Sequence, residues 1–276
     1  MKGTLLKFAL DFFYYAQERY RIKLARDAGK PAPWTQDRVL QEFRFCHVFR
    51  EDDKTTQWFA RQVRSQIEDP LQLVFATIAF RWFNRIETGQ LITPWLLGRW
   101  NSNKVRAVLK GVQPVVTGAY MITSPPGLKK MEGIVHNIEQ VQTSTLRLVA
   151  ASTTLQQAHG FLRQVPYLGT FHSYEIVCDL YHTPVLAGAP DINTWCNPGP
   201  GCKRGLQWVA DEPVLGKKML PMMAELLRMA GYDEHWPDEW PRWDMRTVEH
   251  TLCEYDKWRR GHTGQRLKRR YAQLAR

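Results

Sequence analysis

Gln164-Val-Pro-Tyr-Leu-Gly-Thr-Phe-His-Ser-Tyr174 is the stretch whose reading decides the fold. Apolar residues recur at helical spacing before it, from Thr154 to Val165, and after it, at Tyr174, Ile176, Val177 and Leu180. Pro166 and Gly169 interrupt the pattern, so a short turn joins two helices. A helix-hairpin-helix presents itself to DNA in this way. The glycine lets the backbone come close to a phosphate, and the second helix starts there with the positive end of its dipole. Leu168, Gly169 and Thr170 are the expected phosphate contacts. Any tight connection between two helices gives the same pattern, so the charge of the chain has to separate the two readings.

The 276 residues hold 38 Lys and Arg against 27 Asp and Glu, a net charge of +11. Eight of the basic residues fall between Lys257 and Arg276, where there is no acidic residue, leaving +3 for residues 1–256. This basic tail, with Lys268, Arg269 and Arg270 at its centre, suits a polyanion, most simply nucleic acid. A solvated helix end would look similar, but Arg99 to Lys110 (RWNSNKVRAVLK) is a second basic stretch without acids and favours nucleic acid. Apolar residues make up 44% of the chain, enough for a sizeable core. No uncharged apolar run reaches about 18 residues, which excludes a helical membrane span. Asp11 and Glu18 interrupt the N-terminal segment too early for a signal peptide. Five cysteines form no closely spaced framework, which fits a reducing, cytosolic compartment.

Helical periods dominate the rest, and the expected class is mainly α. Residues 4–28 read as one amphipathic helix, ended by Gly29, Pro31 and Pro33. Thr35 or Asp37 can cap the next. Residues 52–66 read as a polar helix. Pro70 opens an apolar helix closed at Gly89. Further helices are expected at 93–98, 102–112, 128–140, 153–164, 172–181, 217–230 and 246–260. Residues 145–151 fit a strand as well as a helix, and WPDEWPRW at 236–243 reads as an irregular surface loop. The expected organisation is one helical domain in two lobes, 36–150 and 151–215, with 1–35 and 216–276 packed around them and a basic tail at 257–276.

Several constellations can carry chemistry. Arg50-Glu51-Asp52-Asp53 puts three carboxylates beside a guanidinium and His47, costly to bury unless paired. On a helix, Arg50, Asp53 and Gln57 share a face, as do Glu51, Lys54 and Thr55. A dipole-compensating first turn explains the same acids. Asn84 and Arg85 lie in Trp82–Gly89, which also fits a plain helix end with a surface ion pair. The turn Gly199-Pro-Gly201, followed by Lys203 and Arg204, suits a phosphate or diphosphate. It is no P-loop, since G-x-x-x-x-G-K-[ST] occurs nowhere. His136, His182 and His235 show no ligand spacing, so no metal residue is assigned.

In order, PAPWT (Pro31–Thr35), LQEFRFCHVFREDDKTTQW (Leu40–Trp58), RWFNRIETG (Arg81–Gly89), YLGTFHSYEIVCDL (Tyr167–Leu180), NPGPGCKRGL (Asn197–Leu206) and LCEYDKW (Leu252–Trp258) span nearly the whole chain. The series resembles the phage α-glutamyl/putrescinyl-thymine pyrophosphorylase-like proteins, or amino acid:DNA transferases, relatives of the helical domain of 5-hydroxymethyluracil DNA kinases. His47 stands where many members carry Asn. The resemblance implies a fold like the helix-hairpin-helix DNA glycosylases. Asp191 follows the hairpin by some twenty residues and resembles their catalytic aspartate. Where their bifunctional members place a lysine nucleophile this chain has Phe171 and His172. Cys196 and Cys202 cannot supply their four-cysteine iron–sulfur loop, so a lyase of that type is not expected.

The resemblance further implies thymine hypermodification in double-stranded phage DNA, in the cytoplasm of an infected bacterial host. A free amino acid, glycine above all, displaces pyrophosphate from the methylene carbon of pyrophosphorylated 5-hydroxymethyluracil. The nucleotide-binding domain that kinase relatives fuse is not within these residues. In the expected mechanism the base is flipped into a cleft between helical subdomains. Glu51, Asp53, Glu175, Asp179 and Asp191 are the candidate general bases. Arg50, Lys203 and Arg204 neutralise the departing diphosphate, with a divalent metal as an optional helper. Asn84 and Arg85 read the base edge or the amino-acid carboxylate. A monofunctional glycosylase acting on a modified pyrimidine, and a non-catalytic DNA-binding partner of the modification complex, are the alternatives.

Overall fold

The computed structural model describes residues 6–118 and 121–267. The described residues form α1 (Ala9–Asp27), α2 (Arg38–Glu42), α3 (Lys54–Gln62), α4 (Pro70–Phe83), α5 (Ile86–Leu97), α6 (Ser102–Leu109), α7 (Lys130–Glu139), α8 (Thr143–Ala150), α9 (Leu155–Leu162), α10 (Thr170–Tyr181), α11 (Pro200–Ala210), α12 (Gly216–Met229) and α13 (Met245–His262). They contain no strand, so the class is mainly α. The chain divides into two compact units, Met1–Asp53 with Ile192–Arg276, and Lys54–Asp191. Among the described residues no helix is long and apolar enough to cross a membrane.

The unit Lys54–Asp191 is built on α4. Asp69 caps this helix, accepting from the N–H groups of Leu71 and Gln72, and Pro70 takes the first helical position. Ten of its residues are buried, and α5, α7, α8 and α10 pack around it. Asn84 ends α4 by turning left-handed, with φ 45°. The helix therefore stops short of Gly89, the expected terminator. Gly89 lies inside α5, where a Cβ would come within 2.4 Å of the Trp58 ring. Close packing, not helix termination, requires a glycine there. The ambiguous stretch at 145–151 falls in α8, whose Leu146 and Val149 are buried.

In the other unit Asp37 caps α2, accepting from the Leu40 N–H. Its core is aromatic: Phe12 meets Trp243 and Tyr255 edge-on, and Tyr15 packs against Trp258. The expected surface loop at 236–243 is irregular but not superficial. Trp236 is wholly buried and Trp243 nearly so, because the prolines break the helix while the indoles fill the core. The sequence reading also missed α11, taking Gly199–Gly201 for a turn alone; Pro200 stands at the start of the helix that follows. α11 and α13 then cross closely. A Cβ on Gly205 would lie 2.2 Å from the Leu252 carbonyl oxygen, which cannot yield without moving α13. Gly205→Ala is therefore expected to destabilise the protein by about 1–3 kcal/mol in urea unfolding. Gly216→Ala, with no heavy atom within 4 Å, should be neutral.

Candidate functional site

A guanidinium in an apolar helix needs every donor filled. Arg81, in the last turn of α4, is wholly buried and places four of its five N–H donors in hydrogen bonds. Its Nε and Nη2 donate to the two carboxylate oxygens of Asp179 on α10, the Nη2 bond measuring 2.6 Å. Nη2 also donates to Thr56 Oγ1 on α3 at 2.9 Å, and Nη1 to Asn84 Oδ1 at 2.5 Å. His172 Nε2 donates to the Arg81 carbonyl oxygen at 2.7 Å, and Arg64 Nη1 to the Asp179 carbonyl oxygen at 3.1 Å. One side chain thus ties together α3, α4, α10 and the left-handed residue that ends α4.

This network brings together Asn84 and Asp179 of the residues singled out from sequence. Glu175, one turn before Asp179 on α10, is buried too. Arg85 pairs instead with the exposed Glu87 at 3.1 Å, the plain surface ion pair weighed for this segment. Asp191 accepts the N–H groups of Leu155 at 2.8 Å and Gln156 at 3.0 Å, so it anchors the start of α9. In the turn between α9 and α10, Tyr167 takes the left-handed conformation, while Gly169 is extended (φ −71°, ψ 170°) and opens α10. Leu168 is buried, and Gly169 and Thr170 are exposed. The Thr170 carbonyl accepts from His159 Nε2 at 3.0 Å.

In the other unit the chain is not yet helical at Arg50 and Asp53, since the polar helix read at 52–66 begins, as α3, only at Lys54. Arg50–Asp52 wind as a single 3-10 turn, and Asp53 is extended with ψ 127°, so the proposed sharing of helix faces is lost. Asp52, not Asp53, is held by Lys23 of α1 at 3.1 Å. Arg50, Glu51 and Asp53 are half-buried. Burial, and then the Arg19 guanidinium, pull the His47 imidazole down from 6.5 to about 4. α13 holds this segment in place: Glu254 accepts the Cys46 N–H at 2.9 Å, and His250 Nε2 donates to the His47 carbonyl at 3.0 Å. At the start of α11 Lys203 is exposed. Arg204 is engaged by the buried Asp256 at 2.9 Å, which also accepts from Arg260 and from Trp208. Lys268, Arg269 and Arg270 lie outside the described residues. Among the described residues no three His, Cys, Asp or Glu side chains gather as a metal site.

Arg81, Arg19 and Asp256 escaped the sequence reading. A lone charge in an apolar run was the available signal: LQLVFATIAFRWF holds one cation, and its carboxylate partner sits in the apolar YEIVCDLY. Asp179→Ala, which strands a buried guanidinium, is expected to lower stability by about 3–5 kcal/mol, and Arg81→Met with Asp179→Leu to restore much of it, both read in urea. His47 predicts a pH effect. Its folded-state value lies below the ordinary one, so its contribution is complete above pH 6.5 and lost as the pH falls towards 4. Urea midpoints across that window should fall more steeply for the wild type than for His47→Gln.

The family model described as "5-hmdU DNA kinase, helical domain" matches residues 7–266. The 5-hmdU DNA kinase of Bacillus phage SP10 is 25% identical over 283 residues, a match covering 90% of this chain and 44% of that protein. The chain thus spans less than half the length of this curated relative. No solved structure matches it. The family match takes in the Arg81 network, the α9–α10 turn and the crossing of α11 with α13 alike. The chain belongs to the family of 5-hmdU DNA kinase helical domains.

Proposed function

We propose that this protein modifies 5-hydroxymethyluracil in phage DNA, as an amino acid:DNA transferase acting on the pyrophosphorylated base. The family match over residues 7–266 carries the reading, because it ties the chain to proteins named for that nucleoside. In the reaction an amine, glycine for preference, loses a proton to a carboxylate. Its lone pair attacks the methylene carbon, and the carbon–oxygen bond breaks to release pyrophosphate. The base is reached by flipping it from the stack. Backbone N–H groups at Gly169 and Thr170 hold flanking phosphates, as a helix-hairpin-helix does, whereas the Leu168 N–H, expected to join them, is donated to the Val165 carbonyl at 3.1 Å; the tail with Lys268, Arg269 and Arg270 adds sequence-independent affinity.

Both oxygens of Asp179 accept from Arg81 and both of Asp191 accept helix N–H groups. Those two suit positioning, and Glu51, Asp53 and Glu175 are the other candidate proton acceptors. Lys203, exposed in the first turn of α11, suits the diphosphate better than Arg204, which Asp256 engages. Arg50 is the other cation for that role, and Asn84 and Arg85 contact the base or the amino-acid carboxylate. A divalent metal is an optional helper.

One observation favours a second reading, a DNA-recognition module without chemistry of its own: the match covers only 44% of a kinase whose remaining length can hold its catalysis. Duplex DNA containing pyrophosphorylated hydroxymethyluracil, incubated with the protein and each amino acid, separates the readings by mass analysis of the nucleosides. A transferase yields the amino-acid adduct, and Asp53→Asn together with Glu51→Gln is expected to cut the yield at least ~100-fold while leaving DNA binding intact. A glycosylase yields abasic sites without an amine, and a recognition module leaves the nucleosides unchanged.

A further inference from the structure

Tyr167 holds φ at 62°, a backbone conformation that glycine adopts freely and a tyrosine does not. Burial does not compensate, for the residue is 43% exposed. Phe171, in the first turn of α10, is 55% exposed. The other large apolar side chains of this turn, Val165 and Leu168, are in the core. Between the two aromatic residues stands Gly169, with open space where a Cβ would project. No Asp or Glu occurs from Gln140 to Tyr174, while Arg147 and Arg163 are exposed. The carboxylates that follow are turned to other work: Glu175 is buried, and Asp191 holds the start of α9. An exposed ring on a strained backbone, a second exposed ring four residues on, and a stretch of chain that carries exposed arginines and no acid fit a partner with both phosphates and flat π faces.

We infer that Tyr167 and Phe171 form a stacking platform for an unstacked DNA base at the α9–α10 turn. This rests on the reading that the protein acts on DNA, and it adds the residues that keep the duplex open. Stacking on aromatic side chains tolerates any base, so the platform contributes affinity for opened DNA without sequence preference.

The test uses the full chain and a duplex with 5-hydroxymethyluracil next to 2-aminopurine, whose fluorescence rises on unstacking. Wild-type protein should raise that fluorescence. Tyr167→Gly and Phe171→Ala should abolish most of the rise and weaken binding about 5- to 100-fold, with the slope of affinity against salt unchanged. Tyr167→Phe should behave as wild type. Tyr167→Gly relieves the left-handed strain, so its melting temperature should equal or exceed that of the wild type, which separates loss of stacking from loss of fold. The platform is overturned if both variants keep the wild-type fluorescence and affinity. Salt-dependent binding by wild type with no rise in fluorescence also overturns it, yet leaves the DNA reading standing. No DNA binding by wild type brings down both. Self-association of the wild type that Tyr167→Gly abolishes, with DNA binding unaltered, would assign the surface to a second copy instead.

Discussion

The buried pair of Arg81 and Asp179 is the constraint on which the unit Lys54–Asp191 depends. Two opposite charges taken from water are tolerated only where their remaining donors and acceptors are filled, and here Thr56 and Asn84 help to fill them. The demand propagates outward. α3 must bring Thr56 to the guanidinium, α10 must present Asp179, and α4 must end where Asn84 turns left-handed. His172, held on the Arg81 carbonyl, fixes the first turns of α10 and with them the start of that helix at Gly169. The turn proposed to meet DNA is therefore positioned by an ion pair on the same helix. Apolar packing alone would hold the elements together with less restriction on their register.

The unit that joins Met1–Asp53 to Ile192–Arg276 meets a different problem, since its two stretches of chain are far apart in sequence. Aromatic packing between α1 and α13, and the glycine-mediated crossing of α11 with α13, close the distance. Polar anchors then place the irregular segment at 45–53. Arg19 donates to the carbonyls of Phe45 and Cys46, Glu254 accepts the Cys46 N–H, and His250 donates to the His47 carbonyl. A segment fixed through its backbone leaves its side chains to be chosen for chemistry, which suits the acidic run at Glu51–Asp53.

Much of the fold was legible because it rests on local signals. Asp37 caps α2 and Pro70 opens α4, and apolar residues repeat at helical spacing along α9, α10 and α12. The failures came where a long-range contact decides. Gly89 reads as a stop, but its glycine answers to the Trp58 ring. Pro200 and Gly201 read as a turn, although the proline begins α11 and Gly205 admits α13. The tryptophans near 240 read as surface because the breakers around them are visible in sequence and the core that receives them is not. Of the residues singled out from sequence, Asp179 and Asn84 meet in one network, while Arg81, the residue that joins them, was not among them. It also placed Arg50 and Asp53 on one helix, where the chain makes a short 3-10 turn and then extends.

The measurement closest to the proposed chemistry is the stoichiometry of diphosphate release. With labelled pyrophosphorylated hydroxymethyluracil DNA and a saturating amino acid, displacement at the methylene carbon predicts one pyrophosphate freed for each amine joined to the DNA, and none when the amine is omitted. Pyrophosphate release at an undiminished rate without an amine, or loss of the whole base in place of its diphosphate, would contradict it.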